Sequence, residues 1–128
     1  MQTKTFTGQI EFTIQEVSDE QVMGTMPVQQ GILNPFGIAH AGAILWFADV
    51  CATVLIAGKR PIEPGQAGFP LAINLNASLL GNQKEGTFTA TSRYVKKGRT
   101  LSVIRTSVIG DAGRIVADVT TSHVLSGK

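Results

Sequence analysis

The run from Ala41 to Ala57 is apolar apart from Asp49 and Thr53, and no other stretch constrains the fold as much. It has the length of a helix. Gly58 follows it, then Lys59, Arg60 and Pro61, the residue types expected just past a helix C-terminus. The run is shorter than the ~20 residues that cross a bilayer. Asp49 near its centre would also cost roughly 2.5–3.5 kcal/mol to insert. A helix that is apolar nearly all round must instead be wrapped by the rest of its own domain.

The remaining sequence supplies strands for that wrapping. Ile10, Phe12 and Ile14 alternate with Glu11, Thr13 and Gln15, which reads as a half-buried strand. Ser18-Asp19-Glu20 turns the chain, and Val22, Gly24, Met26 and Val28 continue with the same period. From Gln29 to Ile38, Gly31, Asn34, Pro35 and Gly37 break the pattern into a loop. After the helix comes a proline- and glycine-rich linker, Pro61 to Gly68, and then four extended segments. In the first, Leu71, Ile73, Leu75, Ala77 and Leu79 face one way, and Ala72, Asn74, Asn76 and Ser78 the other. The others run from Thr87 to Val95, Leu101 to Ile109 and Arg114 to Leu125, joined by short turns that include the hairpin signal Gly110-Asp111-Ala112-Gly113. Consecutive hairpins imply antiparallel pairing. The expected architecture is α+β: about six antiparallel strands around one long helix, with residues 1–128 forming a single domain.

Composition narrows the functions open to such a domain. Hydrophobic residues make up 43% and charged residues 16%, so the chain is globular rather than disordered. A net charge of +2 without interleaved aromatic and basic residues argues against a nucleic-acid partner. Cys51 is the only cysteine, which rules out an intramolecular disulfide and agrees with a reducing, cytoplasmic location. The opening MQTKTFTGQIEF lacks a signal-peptide core, and no membrane association is expected. Two distant histidines and one cysteine are too few for a metal site. Neither a phosphate-binding glycine loop nor a GxSxG elbow is present.

Chemistry concentrates around the helix. Asp49 is an acid in an apolar run, and burying an isolated carboxylate is costly unless it is paired or used. It suits a general base or a nucleophile, or else a salt-bridged structural acid. Ala41 and Gly42 open the helix, where free N–H groups and the positive dipole end can hold a developing oxyanion, or where small residues simply pack closely. Asn34 fits a carbonyl-positioning amide or a routine turn residue. His40 fits a cap, a loop contact or a substrate contact, and His123 in the last strand reads as structural. Trp46 and Phe47 read as core or interface packing, or as the lining of a pocket. Lys96, Lys97 and Arg99 form a basic turn that would either meet phosphates or remain a solvated hairpin.

Asn34, then His40-Ala41-Gly42, then Asp49, within two strands, a helix and four strands, resembles the hotdog-fold acyl-CoA thioesterases. The likeness is to their phenylacetate-pathway, PaaI-like branch, and it extends over most of the chain, including NLNASLLGNQKEG and YVKKGRTLSV. Members of that branch are similar in having His-Gly-Gly at the helix start, where this chain has Ala41 in place of the first glycine. The resemblance implies hydrolysis of acyl-CoA or aryl-acyl-CoA, with coenzyme A as part of the substrate and no separate cofactor. It assigns Asp49 as base or nucleophile, Ala41 and Gly42 as N–H donors, and Asn34 and His40 as substrate neighbours. Lys96, Lys97 and Arg99 would meet the coenzyme A phosphates. Ala72 lines up with a hydroxyl residue that holds the attacking water in one type of member, and Thr53, one helical turn after Asp49, is the replacement expected here. One such sheet leaves an edge open, which natural proteins pair or cover, so a homodimer with a continuous sheet, assembled further into a homotetramer, is expected; the resemblance implies that Asp49 of one subunit faces Asn34, His40 and Ala41 of the other. Two alternatives stay open: a non-catalytic acyl-CoA-binding protein, and a hotdog hydratase or dehydratase using His40 with Asp49.

Overall fold

The computed structural model describes residues 2–58, 63–64 and 68–125. Two strands, β1 (Thr13–Val17) and β2 (Gln21–Pro27), precede the helix α1 (Ala41–Ala57). Four follow it: β3 (Pro70–Leu79), β4 (Thr87–Lys96), β5 (Leu101–Ile109) and β6 (Ile115–Leu125). They form one sheet in the order β1-β2-β4-β5-β6-β3, with every neighbouring pair antiparallel. The sheet wraps α1, the arrangement expected from an all-round apolar helix among hairpin-linked strands.

Packing follows from the two periodicities. Ile44, Phe47, Ala48, Cys51, Ala52 and Leu55 recur at helical spacing and are buried against Val22, Met26, Phe88, Ala90, Ile104, Val108 and Val119 of the strands. Burial of each large side chain contributes about 1.5–3 kcal/mol. Gly24 sets the approach: a Cβ there would lie 3.0 Å from Cys51 Sγ and 3.1 Å from the Phe47 ring. Cys51 is core, and burial pushes its thiol pKa up to about 12. The helix ends at Gly58, whose φ of 64° suits glycine and whose N–H donates to Val54 O at 2.9 Å. Lys59, Arg60 and most of the linker expected over Pro61 to Gly68 lie outside the described residues. Among the described residues no helix is long and apolar enough to cross a membrane.

Two local expectations change. The alternation from Ile10 to Gln15 is present as burial, but the first strand starts at Thr13. Upstream, Gln9 N–H donates to Gly31 O at 3.0 Å, so the loop before the helix, not β2, takes the backbone there. The second change lies in β3. Register shifts between Ala72 and Asn74, leaving Ile73 as the extra residue of a bulge. Ala72 stands opposite the buried His123 and Leu75 opposite the buried Thr121, so both lie on the helix-facing side, exposed there at the open edge of the sheet. Leu71 stands opposite Val124 on the other face. The bulge therefore takes Leu71 off the face it was expected to share with Leu75 and puts Ala72 there.

β3 is an edge strand. Leu71, Ile73, Leu75 and Leu79 are exposed along it, with Leu80 just beyond. An open apolar edge of this length is one that natural proteins pair or cover.

Candidate active site

The loop into α1 is built from paired polar groups. Asn34 Oδ1 accepts from Phe36 N–H at 2.9 Å and Ile38 N–H at 3.3 Å, closing a tight turn that Gly37 completes at φ 78°. His40 N–H donates to Ile32 O at 2.7 Å. Asn82, on the β3–β4 connection, grips the same loop from the sheet. Its Nδ2 donates to Ala39 O at 2.8 Å, and its Oδ1 accepts from Ala39 N–H at 3.0 Å. Nothing in the sequence marked Asn82, because an asparagine in a turn is an ordinary event.

His40 is the N-cap of α1, in extended conformation, with Nδ1 accepting from Gly42 N–H at 2.9 Å. Its carbonyl takes the N–H groups of Ala43 and Ile44. The first-turn N–H without an acceptor among the described residues is that of Ala41. Beside this mouth lies a cavity of about 400 Å³ whose walls include Phe6, Ile10, Leu33, Pro35, His40 and Trp46. Trp46 is 52% exposed and packs edge-on against Phe12 at 5.5 Å, whereas Phe47 is core.

Asp49 occupies a different place. It lies eight positions along the helix from Ala41, a rise of about 12 Å. It turns toward β6, where its charge acts on His123, and its Oδ1 is buried without a hydrogen-bond partner. Thr53 sits half-buried one turn further on. His123 is 2% exposed: Nε2 is 2.7 Å from Thr121 Oγ1, and Nδ1 is buried and unpartnered. Burial holds the His123 pKa below the usual histidine value, partly opposed by Asp49.

Lys96, Lys97 and Arg99 are exposed at the β4–β5 turn. Lys97 Nζ lies 5.3 Å from the centre of the Tyr94 ring. Lys97 and Arg99 line a cavity of about 160 Å³ with Tyr94, Ser102, Ile56 and His123. One chain thus gathers Asn34, His40, Ala41 and Gly42 at the helix mouth. Asp49 and the basic turn lie toward His123 instead. Among the described residues no three metal-ligating side chains cluster.

No family model matches the sequence. ComA2 of Bacillus subtilis, named an esterase, is 29% identical over 103 residues, 80% of this chain and 79% of its own length. The 1,4-dihydroxy-2-naphthoyl-CoA hydrolase of Escherichia coli is 26% identical over 108 residues, 84% of this chain and 76% of that one. A Streptococcus pneumoniae protein, named a thioesterase and solved with coenzyme A, superposes with a TM-score of 0.79 at 21% identity. That match covers 92% of this chain and 90% of the other. The chain is a hotdog-fold protein, with one helix against a six-stranded antiparallel sheet, and its structural neighbours are thioesterases of that fold.

Proposed function

We propose that this protein is an acyl-CoA thioesterase, hydrolysing an acyl- or aryl-acyl-CoA to the free acid and coenzyme A. The observation that carries the reading is Asp49: a carboxylate on an otherwise apolar helix, with one oxygen buried and unpartnered. Leaving it so is costly unless a ligand or reacting group uses it. The hydrolase among the sequence relatives and the neighbour solved with coenzyme A support the same chemistry.

In this mechanism Asp49 takes a proton from water, or attacks the thioester carbon itself. The Ala41 N–H, at the positive end of α1, stabilises the oxyanion. Gly42 N–H is a second donor once the substrate carbonyl competes with His40 Nδ1 for it. Asn34 Oδ1 is taken by its turn, so its Nδ2 is the group left to orient the carbonyl. The C–S bond breaks and the thiol of coenzyme A leaves with a proton. The cavity beside Trp46 receives the acyl group, and Lys96, Lys97 and Arg99 meet the phosphates.

The two halves of this machinery are about 12 Å apart along one helix, so we assign them to two subunits. β3 supplies the joint: paired with a second copy, its exposed leucines would be covered and the sheet would continue across the dimer. Asp49 of one chain then serves the helix mouth of the other, and two such dimers form a tetramer. The PaaI-like branch, a cytoplasmic location and a single-domain enzyme over residues 1–128 complete the proposal.

The test is thiol release from phenylacetyl-, hydroxybenzoyl-, short- and long-chain acyl-CoA, with Asp49→Asn beside the wild type. Turnover that collapses in the variant supports the reading. Tight acyl-CoA binding without turnover would replace it with a binding protein. Hydration of crotonyl-CoA would replace it with a hydratase, although the engagement of His40 Nδ1 as the helix cap gives that rival little support.

A further inference from the structure

Apart from the helix mouth, the inner face of the sheet carries buried polar side chains: Ser92, Ser102, Thr106, Thr121 and His123. Ser92 and Thr106 satisfy each other at 2.7 Å. His123 does not close its account in this way. Its Nε2 has Thr121, but Nδ1 is buried with no partner. Among the described residues the other side-chain atom in that condition is Asp49 Oδ1. The Asp49 charge acts on the ring across the α1–β6 contact, and no direct hydrogen bond joins Oδ1 to Nδ1.

Two orphaned buried atoms on facing elements call for a polar group between them. The β3 bulge puts Ala72, with only a methyl group, opposite His123, and Ser102 stands opposite it on β5. We propose that His123 is a catalytic residue that holds the attacking water jointly with Asp49, a role resting on the thioesterase reading above. The neutral ring gives its Nε2–H to Thr121 Oγ1, so Nδ1 accepts one hydrogen of the water. Asp49 Oδ1 accepts the other. Both water lone pairs stay free, and one forms the new C–O bond as Asp49 takes the proton and the C–S bond breaks. This role differs from the structural one expected for His123. It also moves the second water contact from Thr53 to a strand residue that the sequence places far from Asp49.

The surroundings favour the neutral ring. Burial disfavours its cation, and the ionisable groups lining the cavity beside it are Tyr94 of β4 and Lys97 and Arg99 of the β4–β5 turn. Asp49 of α1 is the acid whose field favours protonation. Once protonated, the ring would donate to the Asp49 carboxylate and remove the base.

The experiment combines a readout of the pair with one of the reaction. NMR titration of the His123 ring, in wild type and Asp49→Asn, should show Nδ1 as the unprotonated nitrogen and a lower pKa without the Asp49 charge. His123→Asn and His123→Gln, each verified as folded by circular dichroism, should lower kcat at least tenfold with KM little changed, and should change the acid limb of the kcat profile. An unmoved His123 pKa, or folded variants with wild-type kcat, overturns the proposal even if the protein is a thioesterase. A wild type inactive on every thioester, with the coupling intact, overturns the thioesterase reading and the water role together.

Discussion

The mouth of α1 and its Asp49 flank treat polar groups in opposite ways. At the mouth, Asn34, His40 and Asn82 each spend a side-chain acceptor on loop or helix backbone, so the loop is held at several points. On the flank, Asp49 Oδ1 and His123 Nδ1 are buried with no acceptor or donor to meet. A satisfied network rigidifies, whereas buried unsatisfied groups persist only where something else requires them. The mouth is a frame that presents one backbone N–H. The flank is where the proposed mechanism sends the reacting proton.

Breaking the flank should produce the largest effect. Asp49→Asn removes the proposed base and should lower kcat roughly 10²–10⁴-fold with the fold intact, measured by thiol release and thermal melting. The mouth can be broken just as selectively. Ala41 stands at the first helical position, where proline is tolerated, and His40 already has the extended ψ of 137° that a following proline requires. Ala41→Pro should therefore keep the helix while deleting its free N–H, with kcat falling roughly 10²–10³-fold. Equal activity in that variant would remove the helix N-terminus from the mechanism.

Weakening the frame should cost stability more than chemistry. Asn82→Ala leaves the Ala39 N–H and C=O without their clamp and should destabilise the protein by about 1–3 kcal/mol, seen as a lower midpoint in urea. The smallest change belongs to the outer face. There Arg105 Nη2 lies 2.7 Å from Asp118 Oδ2, with the arginine side chain 64% exposed. The hydrogen bond from Arg105 holds the Asp118 pKa below the usual carboxylate value. Its stabilisation is therefore present above the unfolded pKa and disappears as pH falls through the depressed one. Asp118→Asn should melt slightly below wild type at neutral pH and level with it in acid. Salt should narrow the neutral difference.

The sequence made the frame legible and concealed much of the flank. The apolar run from Ala41 to Gly58 and the hairpin at Gly110-Asp111-Ala112-Gly113 carry local signals, and α1 and β5–β6 lie where they point. Asn34, His40 and Asp49 were visible as candidates because their spacing is local to one loop and one helix. Ala72 and His123 are a long-range pair created by a bulge, and a bulge shifts side-chain direction without any composition signal. Asn82 was missed for a related reason: its partner Ala39 is 43 residues away and offers only backbone atoms.

The division of the site between two chains is the central claim, and subunit complementation tests it most directly. Asp49→Asn and Ala41→Pro would each be prepared inactive, then mixed under conditions that exchange subunits, and assayed for thiol release. On the proposed arrangement, a heterodimer of the two would rebuild one intact site from the Asp49 of one chain and the helix mouth of the other. Random mixing should restore roughly a quarter of wild-type turnover. A mixture that exchanges subunits and stays as inactive as its parents would place the whole site within one chain and contradict the account.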